Sequence, residues 1–518
     1  MPIHLLDLPP EILTMILYPL DLRSLIACIA TNRRVKSIID GSTLLQYRLA
    51  AQAACVDDVP GNGLTSADRL VALQRREVAF IEGLPSSIHT VQMDDFPIRN
   101  TYALSGGNFF MTELTEKSLR WTSLESKGQQ QPIWERLELN EYIIEIGLAV
   151  PEEDLVVVLS STAPLNVDVL PSDVILKLHL FEMSTQSAHR EALEPAIVLP
   201  IDAVAWPDFE IDICGPNVSI LAFSVDNQHP DNRLLVYDWK KGRLQMLIRL
   251  EYLNCGILSD SEGIADPHIS LTLPKSPDGC EYDITRVESN PKGSNAATSR
   301  PFRSSFIDSL VVLSVLCFPP AEATVFQQMF LVIHRQALLQ QISSESHTRQ
   351  RSWEEWGPPI SRWINADIIT QTEWPTIICG QRLAFLTPQS HIVLLDFNPY
   401  TRKRALLEQA KRTDGNAIEP TASQFVSVPP SELDIVDCLA LFGEEPHSQL
   451  EYVAKKSRKP VAWSGVIMDE EWIVGINVCL SSFVKNYQFI TPTKNSRTPQ
   501  MRMENSGSMF GILDELRK

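Results

Sequence analysis

One couplet of short apolar strands recurs along the chain, and it narrows the possible folds more than any other feature. Leu155-Val156-Val157-Val158-Leu159 is followed, after a loop, by Leu176–Met183 and the turn Ser184-Thr185-Gln186. Ser219–Phe223 leads to Leu234–Trp239 and the turn Lys240-Lys241-Gly242, and Arg382–Leu386 leads to Ile392–Phe397 and then Asn398-Pro399. Two copies share a lead-in, Ile213-Cys214-Gly215 and Ile378-Cys379-Gly380, and two end on an Asp-aromatic pair, Asp238-Trp239 and Asp396-Phe397. Short apolar runs bounded by Gly, Asn, Pro and Ser read as strands. A chain with this many short strands must cover their edges, and closing the sheets into a ring does so. A pair of irregular β-sandwiches is the alternative, but it gives no reason for one couplet to repeat.

The strand-turn-strand unit with its Asp-aromatic end resembles the last strands of a propeller blade in WD-repeat proteins. At about 40–50 residues per blade, residues 84–490 have room for a β-propeller of seven or eight blades with long insertions. The insertions are expected at Ser259–Arg303, Ile342–Pro359 and Ala410–Ser431, which are rich in Pro, Ser, Gly, Asn or charge. Residues 491–518 read as a polar C-terminal tail.

Before residue 84 the apolar period is helical. Asp7-Leu8-Pro9-Pro10-Glu11 is a helix start, with proline in the first turn and an acidic residue near the positive dipole end. Ile12, Leu13, Ile16 and Leu17 follow as one stripe, and Pro19 ends the helix. Asp21 can cap a second helix striped by Leu22, Leu25, Ile26 and Ile29. Val35, Ile38 and Ile39 mark a third helix, and Ser42 caps a fourth through Leu45 and Leu49. Thr65-x-x-Asp68 has the form of a capping box before Leu70, Leu73 and Phe80. The reading is a small all-α module at 1–55 and a helical linker at 56–83, ahead of the all-β domain. A module of about 50 residues is near the lower limit for independent stability, so its apolar surface favours a permanent partner.

Leu6-Asp7-Leu8-Pro9-Pro10-Glu11-Ile12-Leu13, with Ile16-Leu17, Leu20-Asp21-Leu22 and Leu25, resembles the F-box. The whole layout is similar to a group of fungal F-box proteins, through Leu45-Gln46-Tyr47, the Arg-rich stretch Arg69–Arg76, the strand end Val236–Gly242, and Trp356-Gly357-Pro358 with Trp363. Where the family often has a tryptophan in its third helix, this chain has Arg34. The resemblance implies a hook that binds the Skp-type adaptor of a cullin–RING (SCF-type) ubiquitin ligase, with the propeller as receptor for a client protein. Leu8, Pro9, Glu11, Ile12, Ile16, Leu20, Leu22 and Leu25 are then the expected adaptor contacts. Pro9 and Pro10 also lower the entropy lost on docking, and Leu8 and Ile12 can present an apolar edge to a groove. The plain alternative is an ordinary helix start whose leucines pack inward. Trp353, Trp356, Arg362 and Trp363 are either packing at a blade junction or a client-binding hot spot.

Nothing in the sequence carries catalysis. It contains no nucleophile elbow, phosphate loop, His-Glu-x-x-His or dinucleotide fingerprint, and its 10 histidines are scattered without metal-ligand spacing. No catalytic residue, metal or cofactor is expected. A non-degradative propeller scaffold, or a propeller enzyme with its site in the central channel, are the other readings. The 45 basic and 64 acidic residues give a net charge of −19, the wrong sign for binding nucleic acid. The 9 cysteines lie far apart and the first residues are not a signal peptide, which points to the cytoplasm or nucleus. No apolar run approaches the length of a membrane span.

Overall fold

A computed structural model describes residues 5–59, 63–82, 87–93, 98–113, 117–124, 133–164, 174–200, 208–223, 232–250, 270–271, 273–274, 281–292, 301–318, 327–343, 350–365, 377–413, 425–428, 448–470, 472–478 and 485–491. The tail after residue 491, and much of the expected insertions, lie outside these residues.

The N-terminal module is helical, as its periodicity predicts. After a turn of 3-10 helix at Leu5–Asp7 come α1 (Pro10–Leu17), α2 (Leu22–Thr31), α3 (Arg33–Gly41) and α4 (Thr43–Ala53). The predicted caps are in place. Asp21 accepts from Ser24 N at 3.1 Å and Ser42 Oγ from Leu45 N at 3.4 Å. Leu17, Leu22, Leu25, Ile29, Ile39, Leu45 and Leu49 form the core of the module. The linker begins as a short strand, Val56–Asp58, paired antiparallel with Phe302–Ser304, and continues as α5 (Ser66–Glu82).

The rest is a ring of antiparallel sheets. The described residues form four four-stranded and two five-stranded sheets, each built mainly from strands that follow one another along the chain. We number these blades from the N-terminus by their first strands: Ile98–Ser105, Tyr142–Ala149, Asp208–Cys214, Glu281–Glu288, Ile378–Cys379 and Gly465–Met468. Each first strand lies beside the first strand of the next blade, except that blade 4 meets blade 5 through its second strand, Leu310–Phe318. Gly465–Met468 of blade 6 returns to Ile98–Ser105 of blade 1. Ser87–Met93, from the start of the domain, closes the circle as the outer partner of Lys485–Thr491. This is a β-propeller with six blades among the described residues, against the seven or eight expected from length.

The expected insertions hold elements that their polar composition concealed. Glu281–Glu288, the first strand of blade 4, lies in Ser259–Arg303, and the helix Trp353–Ile360 overlaps Ile342–Pro359. Ala410–Ser431 holds the end of the helix Pro399–Thr413 and the strand Phe425–Val428.

The sequence couplet has a structural cause. In five blades the residue just after the third strand donates its N–H to the carbonyl just before the second strand. The bonds run Leu124→Gly107 and Met183→Asp154 at 2.8 Å, Trp239→Pro216 and Arg335→Ser309 at 3.0 Å, and Phe397→Gln381 at 2.9 Å. Trp239 adds Nε1–H to the Gly215 carbonyl at 2.9 Å. The shared lead-in Ile-Cys-Gly is the tight turn that receives this lock. Gly215 and Gly380 have φ of +56° and +58°, the left-handed region that favours glycine.

Candidate docking surface

The surface that matches the F-box resemblance is built on α1. Pro9 is extended (φ −54°, ψ 148°) and Pro10 opens the helix, where a missing N–H costs nothing. The Pro9 carbonyl accepts from Ile12 N and Leu13 N, both at 3.1 Å. The eight-residue helix has two apolar faces. Leu13 and Leu17 are buried, while Ile12, Met15 and Ile16 are 42%, 71% and 41% exposed. Leu5, 56% exposed, extends this patch at the chain entry, and Tyr18, with the Arg48 guanidinium 5.4 Å from its ring centroid, borders it. An apolar patch of this kind on a short helix marks an interaction site.

The structure divides the expected adaptor contacts. Pro9, Glu11, Ile12 and Ile16 are exposed and Leu8 is half-buried. Leu22 and Leu25 are not on the surface. Both are buried in the helical core, and Leu20 packs against it half-buried, its carbonyl accepting Gln52 Nε2–H at 3.3 Å. They hold α1 in place from beneath rather than offering a face. Met15 and Leu5 belong to the exposed patch and were not singled out from the sequence. The i, i+3, i+4 spacing of Ile12, Met15 and Ile16 is the signal that could have found Met15. Arg34 is exposed on the first turn of α3, whose N-cap Asn32 accepts from Arg34 N at 2.8 Å.

A buried ionic network ties this module to the propeller through α5. The predicted capping box is present, with Asp68 N donating to Thr65 Oγ1 and Thr65 N to Asp68 Oδ2, both at 3.2 Å. Arg69 pairs with Asp58 and donates to the carbonyls of Val59 and Pro301 at 2.9 and 3.0 Å. Arg76 lies over the Phe302 ring and reaches Glu77 and, at 3.1 Å, Glu470 of blade 6. Glu470 also accepts from Ser304 N at 2.6 Å. Glu77 pairs with Arg382 of blade 5, which reaches Asp396 at 3.0 Å and covers the Phe80 ring. Burial pushes the Glu77 carboxyl up, but Arg382 and Arg76 outweigh it and hold it below the usual carboxylate range. On the other side, Tyr400 packs on the helical core and Asn398 Nδ2–H donates to the Ala53 carbonyl at 2.8 Å.

The tryptophan cluster lies inside the protein. Trp353, Trp356 and Trp363 are buried in one core cluster with Met329, Leu331 and Ile333 of blade 4. Trp353 meets Trp356 edge-on at 5.1 Å, and Arg362 is half-buried, donating to the Ser448 carbonyl at 3.0 Å. The three tryptophans pack within blade 4 and its adjoining helix rather than at a blade junction, and they are buried away from solvent.

A second group was not foreseen. The first strands of blades 2, 3 and 4 bring Glu145, Glu210 and Glu288 into one electrostatic cluster with Arg286. Burial first, and Glu210 next, push Glu145 up to about 8, while burial pushes Glu288 up to about 7. Nothing in local sequence signals the cluster, because its members lie on three different blades.

With this geometry in hand, the comparisons are brief. Residues 5–47 match the family model described as the F-box domain. The WD40 domain of coronin from Toxoplasma gondii is similar over 80% of this chain and 88% of its own, at 9% identity and a TM-score of 0.27. Apo AztD from Citrobacter koseri is similar over 60% and 91%, at 10% identity and a TM-score of 0.22. Scores this low carry no argument, and the propeller rests on the strand pairing above. No curated protein matches. The chain carries an F-box domain at residues 5–47, followed by a β-propeller.

Proposed function

We propose that this chain is the client-recognition subunit of an SCF-type cullin–RING ubiquitin ligase, acting in the cytoplasm or nucleus without chemistry of its own. F-box domains generally bind Skp-type adaptors, and the observation that carries the reading is the exposed Ile12–Met15–Ile16 patch within the matched domain. The adaptor docks there and connects the chain to the cullin. The propeller holds a client, whose effective concentration at the ubiquitin-loaded enzyme rises accordingly. The network from Arg76 to Asp396 supports the reading, because a receptor of this kind gains from a fixed geometry between its two binding surfaces.

Co-expression with a Skp-type adaptor tests it. Wild type should co-purify as a stable complex. Ile12→Asp with Ile16→Asp should abolish the complex while leaving the far-ultraviolet circular dichroism unchanged, since both side chains are exposed. Undiminished binding by the double variant, or none by wild type, contradicts the proposal.

One observation favours the enzyme reading as a second: carboxylates held near neutral pKa converge on the inner strands, as general acid–base chemistry requires. That reading demands a turnover that Glu145→Gln abolishes.

A further inference from the structure

Five seams of the ring are filled by clusters of buried apolar side chains: blades 1 and 2, 2 and 3, 4 and 5, 5 and 6, and 6 and 1. Among the described side chains, the seam between blades 3 and 4 carries charge. Blade 3 contributes Glu210 and Asp212 from its first strand, and blade 4 contributes Arg286 and Glu288 from its own, with Lys292 just beyond.

The two cations are already engaged. Arg286 Nε lies 3.4 Å from Glu210 Oε2, and Lys292 pairs with Asp212 while its backbone N–H donates to Glu152 Oε1 at 3.1 Å. Glu288 is left over. It is 8% exposed, and its Oε1 accepts no hydrogen bond. The charges around it are Arg286, Lys292, Glu210 and Asp212, so the carboxyl is enclosed within the seam. Glu145, from the neighbouring first strand of blade 2, accepts the Ile146 N–H at 2.9 Å and faces Glu210, Asp208 and Arg286. Carboxylates thus outnumber cations here. A buried carboxylate without a counter-charge costs several kcal/mol, and a protein relieves that cost by binding either a proton or a cation. Burial raises the Glu145 and Glu288 carboxyls, so each takes a proton more readily than a free carboxyl does.

The group is enclosed but reachable. The side chains of Glu210, Asp212, Arg286 and Lys292 are 30%, 26%, 23% and 22% exposed.

We propose that the seam between blades 3 and 4 binds an alkylammonium or guanidinium group, presented as a Lys or Arg side chain by a basic segment of the client, with Glu288 as its partner. The assignment of the cation to a client rests on the receptor reading, whereas the cation site does not. Adaptor binding by the Ile12→Asp and Ile16→Asp variant tests the receptor reading separately.

The experiment is calorimetric titration of the full chain at pH 7.5 with an acetylated, amidated tetralysine peptide, in two buffers of different ionisation heat. Spermidine serves as a second probe. Binding should release protons, because Glu288 gives its proton up on meeting the cation. Glu288→Gln should weaken the peptide by at least about tenfold and reduce the release. A control with Glu135→Gln and Glu138→Gln, exposed residues of blade 1, should leave both unchanged. Equal loss in the control, or no loss in Glu288→Gln, overturns the site as mere attraction to an acidic surface. If Glu288→Gln does not fold, wild type still decides. A tetra-acetyllysine peptide must not bind, and tetralysine binding without proton release overturns the proposal. Spermidine binding with no peptide binding overturns the client assignment.

Discussion

Ile12 and Leu13 are neighbours in sequence and face opposite ways. Both lie on one apolar stripe by helical periodicity, and so do Leu22 and Leu25. Spacing cannot say whether a stripe meets the core or a partner, since both demand the same residues. Packing decides it. Leu25 is fully buried among α2, α3 and α4, whereas Ile12 has only solvent on one side. The two residues should therefore fail differently when changed. Leu25→Ala should cost about 2–5 kcal/mol and raise hydrogen exchange throughout α2–α4. Ile12→Asp should leave that exchange unchanged and lose only adaptor binding. The carboxylates of the blade 3–4 seam give a second contrast at this scale. Glu145 holds its proton to about 8 in the folded state, far above the unfolded value near 4.5, so the folded chain binds more protons between those values. Stability then falls as pH rises through that window and levels off above it. Melting midpoints measured from pH 5.5 to 9 should fall, and Glu145→Gln should flatten the fall. An unchanged slope in that variant would contradict the assignment.

At the scale of elements, the hairpins were legible because each carries its own signal in adjacent residues. The Asp-aromatic end and the Ile-Cys-Gly lead-in stand out in sequence because they are the two sides of one hydrogen-bonded lock. The lock in blades 1, 2 and 4 escaped notice, because a backbone N–H and a carbonyl place no demand on side-chain type. The two lead-in glycines separate conformational cost from steric cost. Both have positive φ. A Cβ on Gly215 would meet nothing within 4 Å, but one on Gly380 would lie 2.5 Å from Ser304 Oγ. Gly215→Ala should therefore cost about 1 kcal/mol from backbone conformation alone. Gly380→Ala should cost distinctly more, and should also loosen the linker, because Ser304 binds Glu470. Chemical denaturation of the two variants in parallel checks the order. The blade count was beyond the sequence for a related reason. A composition rich in Ser and Pro marked breaks in the pattern, yet the strand Glu281–Glu288 lies within one of them, its short Tyr282–Ile284 alternation broken by a register shift before Arg286.

The whole molecule depends on contacts far apart along the chain. Arg69 and Arg76 were read as part of a basic stretch of a linker helix. In the structure they are buried anchors, and Arg76 meets Glu470 across 394 positions. Arg382 is the centre of this joint, with Glu77 and Asp396 on either side. Arg382→Met would leave Asp396 without this cation and Glu77 with Arg76 alone, and should cost about 3–5 kcal/mol. Hydrogen exchange should rise in α5, while adaptor affinity stays near wild type, because the docking residues lie on α1. On the function proposed above, the fixed joint is what would let one chain serve as both hook and receptor. The most direct measurement is hydrogen exchange of the full chain with and without a Skp-type adaptor. New protection should appear at residues 5–18, with Trp353–Trp363 unchanged. Failure to form a complex, or protection in the propeller with none along α1, would contradict the docking surface assigned here.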